Sequence, residues 1–241
     1  SDPPLEQAVA RSAEGGVRGQ IGDGTQHPLN WSATVYKTLI KSDIIFVASP
    51  LLRGTGFFKN AGSTSRLGME AELHGTVNRV TWFANYGLVQ ATFGSSLSLP
   101  SNQEINSAAT AEGAIAVRPG DLLPGIPRHS FKTGSEIALS RAWNVAIDTM
   151  LSSNRVFLGD EGNDQDKLAG YGLINMRASY LFSEQIGLFF RVNNLLDAKY
   201  ATSGVLAEIE IELAEIPGAS DPRFISPGPP RSAFTGVRFK F

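Results

Sequence analysis

The feature that most limits how this chain can fold is a period of two. Along 143–152, Trp143, Val145, Ile147, Thr149 and Leu151 fall on one side of an extended backbone, and Asn144, Ala146, Asp148, Met150 and Ser152 fall on the other. Successive side chains of a strand point to opposite faces, so this is a ribbon with one apolar face and one polar or small face. The pattern returns at 172–182, where Ile174, Met176, Ala178, Tyr180 and Phe182 oppose Asn175, Arg177 and Ser179. It returns again at 186–193, where Ile186, Leu188, Phe190 and Val192 oppose Arg191 and Asn193.

The same reading predicts nine strands, near 9–21, 29–49, 57–76, 79–93, 129–140, 143–157, 171–182, 186–203 and 232–241. Short turns, near Gly22-Asp23-Gly24, Val77-Asn78-Arg79, Ser140-Arg141-Ala142 and Ser183-Glu184-Gln185, alternate with longer loops at 50–56, 94–128, 158–170 and 204–231. Tight turns at one end and long loops at the other are what a transmembrane β-barrel requires. The predicted class is therefore all-β: a transmembrane antiparallel up-and-down β-barrel, of which this chain supplies about nine strands. A soluble β-sandwich also alternates, but its strands have no reason to share that asymmetry of connections.

Composition excludes other classes. A membrane-spanning helix needs about 20 consecutive apolar residues, and apolar stretches such as 44–48 are far shorter. The net charge of −2 and pI near 5.9 provide no basic excess to neutralise a phosphate backbone, so nucleic acid is not an expected partner. The absence of cysteine removes disulfides and thiolate chemistry. His27, His74 and His129 are scattered, and Asp160-Glu161-Gly162-Asn163-Asp164-Gln165-Asp166 has Gln165 where a calcium loop needs Gly, so no metal site or cofactor is expected and 160–166 reads as a solvated acidic loop. Gly54-Thr55-Gly56 lacks the rest of a phosphate-binding loop, and no nucleophile elbow occurs, so the chain is not expected to be an enzyme.

Aromatic placement orients the strands. Trp31, Trp82, Trp143, Tyr180, Phe182, Phe239 and Phe241 lie on the apolar face, close to short turns or to the C-terminus, as a girdle at the headgroup level would. The other face carries Arg66, Glu70, Glu72, Lys132, Glu136, Asp148, Arg177, Arg191, Arg238 and Lys240. Lys37 breaks the rule by sharing the parity of Trp31, Ala33 and Val35, which predicts a bulge near Tyr36 or a misread strand. Glu208-Ile209-Glu210-Ile211-Glu212-Leu213 alternates acid and apolar residues, either as a strand extension or as a solubilising edge.

Three strings resemble TonB-dependent outer-membrane receptors. Asn60-Ala61-Gly62, followed by Gly68-Met69-Glu70, is similar to that family's Asn-Ala-Gly and Gly-x-Glu segments. Asn194-Leu195-Leu196-Asp197-Ala198-Lys199-Tyr200 resembles its penultimate-strand signature, with Leu196 in place of the usual Phe. Pro230-Arg231 entering a last strand that closes on Phe241 resembles its C-terminal signal. These residues are expected to be architectural.

The resemblance implies a 22-stranded barrel filled by an N-terminal plug, set in outer-membrane lipid of a Gram-negative bacterium. It also implies uptake of a scarce small molecule such as a ferric siderophore, driven by the TonB complex acting on the plug. Arg66, Glu70, Lys132, Glu136, Arg177 and Arg191 are then expected to face the plug, and loops 94–128 and 204–231 to contact ligand. Nine strands put the two termini on opposite sides of a membrane, whereas single-chain bacterial barrels use even numbers. Residues 1–241 are thus expected to be the C-terminal part of such a barrel, its plug and N-terminal strands lying outside a chain that starts Ser1-Asp2 without initiator methionine or leader. A passive porin-like channel is the alternative.

Overall fold

The computed structural model describes residues 4–22, 28–48, 56–208 and 220–240. Every element named in that part is a strand. Nine of them, β1 (Val9–Ile21), β2 (Leu29–Lys41), β5 (Thr64–Val77), β6 (Val80–Phe93), β9 (His129–Ala138), β10 (Trp143–Ser152), β11 (Tyr171–Leu181), β12 (Ile186–Asn193) and β15 (Ser232–Phe239), form one antiparallel meander in that order. The sheet is open, with β1 and β15 as its edges.

Three further hairpins are inserted into this wall: β3 (Ile44–Ala48) with β4 (Gly56–Asn60), β7 (Leu97–Pro100) with β8 (Ala114–Val117), and β13 (Ala201–Leu206) with β14 (Arg223–Pro227). All three leave the wall at the long-loop end.

The hairpins correct the predicted boundaries. Strands 29–49, 57–76 and 186–203 do not run through; each breaks where the backbone enters the left-handed region, at Ser42 (φ +52°), Gly62 (φ +72°), and Asn194 and Asp197 (φ +50° and +52°). Alternation continues on both sides of each break, so periodicity alone could not reveal it. The first two breaks clasp each other: the Asp43 amide donates to the Gly62 carbonyl (2.8 Å) and the Ala61 amide to the Asp43 carbonyl (2.7 Å). The stretch 94–128, expected to be a loop, holds β7 and β8.

No bulge occurs near Tyr36. Register runs unbroken from Val9↔Lys41 to Ile21↔Leu29, so Lys37 stands on the same face as Trp31. Tight connections close the other end; Asn78 at φ +55° reverses the chain between the paired residues Val77 and Val80.

The wall has no continuous core, because its faces meet other things. A compact apolar cluster sits at the long-loop end, where Phe93 and Ala91 of β6 are buried beneath Val47, Leu99, Ile115, Val117 and Leu123. A satellite cluster joins Phe157, Leu168, Ala201 and Leu206.

Candidate functional site

Register assigns each strand residue to a face. Trp31, Trp82, Trp143, Tyr180 and Phe239 share one face, linked through pairs such as Leu29↔Gly75, Gly75↔Trp82, Trp143↔Tyr180 and Ile186↔Phe239. Phe182 lies just beyond β11 at the same end. Trp143 and Tyr180 bring their ring centroids to 4.7 Å. Large apolar side chains on this face, among them Val17, Val35, Leu67, Ile147, Leu188 and Val237, stand exposed, so the protein itself does not cover them. Phe241, His27, Gly54-Thr55 and residues 209–213 lie outside the described residues.

The opposite face carries the charges. Arg177 donates to Glu136 (2.9 Å), reaching across Ala146 of the intervening strand β10, and Asn144 donates to the same carboxylate. Asp148 accepts from Asn175 (2.7 Å). Glu72, Asn85 and Lys132 stand side by side on neighbouring strands. Glu70 and Lys132 are exposed, while Arg191 donates to Asn193 two residues on (2.7 Å). Arg66 differs from the other expected plug contacts: it pairs with Asp43 (3.2 Å) at the clasp between the first two breaks. The face is not uniformly polar, since Phe189 and Phe234 share its parity.

The signature strings occupy the break points. Asn60 ties three segments together: its Nδ2 donates to the Ser42 carbonyl (2.8 Å) and the Glu6 carbonyl (3.1 Å), and its Oδ1 accepts from the Glu6 amide (2.9 Å). Gly68 lies beneath the Tyr36 ring, which occupies the space a Cβ would take. Asn194, 3% exposed, accepts from the Ala198 amide (2.8 Å) and donates to the carbonyls of Ala198 (3.0 Å) and Pro229 (3.3 Å). The Leu195 amide donates to the Ile174 carbonyl (2.7 Å). Asp197 accepts from the Arg231 amide (3.0 Å), and that bond, with the Lys199 charge, holds its carboxyl below the usual range. Tyr200 packs against Tyr171 with centroids 4.7 Å apart and ring planes at 43°. Short polar residues in left-handed conformations bond their own turn in this way.

Residues 160–166 correct the expectation of a solvated acidic loop in part: Asp164 and Asp166 are exposed, but Asp160 is not. Asp160 is 1% exposed. Its carboxylate accepts from Asn106 Nδ2 (3.1 Å) and the amides of Asp164 (2.9 Å) and Gln165 (3.2 Å), while Gln165 Nε2 donates to Asn106 Oδ1 (2.8 Å). Burial raises the carboxyls of both Asp160 and Glu161 above their usual range, against the opposing pull of the Asp164 and Gln165 amides on Asp160 and of the Gly159 amide on Glu161. No cluster of three or more His, Asp or Glu positioned to hold a metal occurs among the described residues.

Between the hairpins lies a cleft of about 450 Å³, with Phe46, Phe93, Leu99 and Leu206 as apolar walls and Arg66, Asp43 and Glu161 as polar lining. Ser101 also lines it, and its Oγ is buried without a hydrogen-bond partner among the described residues. Sequence reasoning did not single out Asp43, Ser101 or Asn106, because each acts through contacts distant along the chain.

A sheet with an uncovered apolar face, an aromatic band at its short-turn end and a charged opposite face is the wall of an outer-membrane-type β-barrel. The chain belongs to the TonB dependent receptor-like β-barrel family, whose model matches residues 1–195. The barrels of this family are outer-membrane proteins of Gram-negative bacteria, and its members are receptors and transporters. Solved structures give the same fold. The siderophore receptor PiuA from Acinetobacter baumannii is 16% identical with a TM-score of 0.67, covering 96% of this chain and 28% of that one. The ferric yersiniabactin uptake receptor FyuA from Yersinia pestis is 17% identical with a TM-score of 0.69, covering 99% and 31%. The copper transporter OprC is 17% identical with a TM-score of 0.66, covering 99% and 32%. The chain therefore spans about a third of these receptors' length. No curated protein matches the sequence.

Proposed function

We propose that this chain is the C-terminal part of the barrel wall of a TonB-dependent receptor that takes up a scarce solute, in the first instance a ferric siderophore, and that it catalyses no reaction. The observation that carries the reading is the division of the wall: apolar and aromatic outside, with Glu70, Glu72, Lys132, Glu136, Arg177 and Arg191 inside. Polar groups lining a lumen favour a hydrated or protein-filled interior. Exposed Glu70 and Lys132 are free to meet a plug, and the Arg177–Glu136 pair can exchange partners with one. Arg66, held by Asp43, supports the mouth instead.

The ligand reaches the cleft that β3, residues 99–126 of the long segment after β6, residues 158–161 and residues 205–206 line together. The exposed Phe46 ring offers it apolar area, and Arg66 and Glu161 offer polar groups. That the neighbour PiuA is a siderophore receptor and FyuA a ferric yersiniabactin uptake receptor supports the same ligand class. The TonB complex then moves the plug, and the N-terminal strands complete the barrel.

The test is uptake of radiolabelled ferric siderophores by iron-starved cells carrying or lacking the gene. Uptake that needs both the gene and an energised TonB complex supports the reading. Ion conduction in planar bilayers without energy, combined with no loss of uptake in a TonB-deficient strain, would make the protein a passive channel.

A further inference from the structure

Lys37 is one of three outward charges. Among Asp, Glu, Lys and Arg, the lipid-facing positions of the nine wall strands hold only Arg11, Lys37 and Lys41. All three are cations, and all lie on the adjacent strands β1 and β2. Register places them together: Arg11 opposite Leu39, Lys37 opposite Ala13 and Lys41 opposite Val9. Each is exposed, and none has an ion-pair partner among the described residues. The nearest carboxylates in sequence are turned away or engaged: Glu14 stands on the opposite face of β1, Asp43 pairs with Arg66 (3.2 Å), and Glu6, before the start of β1, accepts a hydrogen bond from the Ser42 hydroxyl (2.8 Å).

Their height decides what they meet. A strand tilted by about 40° gains roughly 2.5 Å of height per residue, and the apolar band is about 25 Å tall. Counting from Trp31 at the lower girdle, the level of Arg11 and Lys41 is then roughly 20 to 25 Å up, at the upper headgroup boundary, and Lys37 is roughly 15 Å up. A lysine there buries its stem and lifts its ammonium toward the headgroups. Unpaired cations at that boundary, with no carboxylate on the same face, are complementary to phosphate.

We propose that Arg11, Lys37 and Lys41 form a binding site for a phosphate-bearing anionic lipid headgroup of the outer leaflet. Arg11 supplies a planar fork suited to two phosphate oxygens, and the two lysines add point charges from the neighbouring strand. The inference rests on the membrane reading above, since it needs this face to meet lipid.

The experiment uses the protein extracted from the outer membrane that makes it and placed in phosphatidylcholine nanodiscs with or without a minor fraction of bisphosphorylated lipid A. Bound lipid is read by native mass spectrometry, and folding by heat-modifiable gel migration. Wild type retains lipid A adducts. Arg11→Gln, Lys37→Gln and Lys41→Gln each lower lipid A affinity by roughly fivefold, and the triple variant abolishes the adducts. Lys37→Arg and the inward-facing Arg18→Gln leave them unchanged. A folded triple variant with wild-type lipid A affinity overturns the proposal, as does displacement of lipid A by inorganic phosphate at the concentration of the lipid. Recovery of the protein in the aqueous fraction without detergent is a different failure: it removes the membrane reading itself, before any lipid is measured.

Discussion

Arg177 and Glu136 are ion-paired at 2.9 Å across an entire intervening strand, with Ala146 beneath the bridge. The small side chain at 146 is what allows the reach. Both partners are well exposed to the lumen, with side chains 60% and 43% accessible, so solvent screens the pair.

Arg177→Gln is expected to lower barrel stability by less than about 1 kcal/mol in urea unfolding, while lowering energy-coupled uptake by a larger factor. Uptake that falls only in proportion to the amount of folded barrel would confine the pair to bracing the wall.

Gly68 has a different role. A Cβ there would overlap the Tyr36 ring, and overpacking of this kind costs about 1–3 kcal/mol. Gly68→Ala is expected to lower the unfolding midpoint by that amount, and adding Tyr36→Ala is expected to recover most of the steric loss. A double variant whose losses simply add would show that the ring is not the obstacle.

Asn194 combines a left-handed backbone with three side-chain hydrogen bonds. Asn194→Ala removes the bonds and strains the conformation, for about 2–4 kcal/mol of destabilisation. Asn194→Gly relieves only the strain and is expected to fall between alanine and wild type in chemical denaturation.

Two carboxyls give opposite pH responses. Asp197 has its folded value lowered by the Arg231 amide and the Lys199 charge, so its contribution is present above the unfolded value of about 4 and is lost as pH falls through the folded value. Glu161 has its folded value raised by burial. Its charged form is therefore penalised at neutral pH, and stability is regained as pH falls through that raised value toward about 4.3. Glu161→Gln is expected to slow hydrogen exchange in 157–165 at neutral pH and to have little effect near pH 4. Faster exchange at neutral pH would show that the charged carboxylate is favoured.

The sequence made the wall legible because hydrocarbon on one side and a polar interior on the other impose a period of two. Strand 9–21 and the starts of β2, β10, β11, β12 and β15 stand where alternation predicted them. The mouth was not legible for a physical reason. The turn at Ser42 is closed by Asn60, and the 160–166 loop is organised by Asn106, both far away in sequence. An acidic heptad reads as solvated until its partner is known. Lys37 illustrates the converse: its misfit with the pattern was real, and the bulge invoked to remove it was not needed.

The clasp at Asp43 and Gly62 separates two kinds of change. Because the ladder of β2 and β5 is already closed below it by backbone bonds, the hairpin beyond can lengthen, shorten or be exchanged without displacing a single pairing in the wall. A lineage built on such a joint can acquire new ligands by altering its rim while the part set in lipid keeps its geometry.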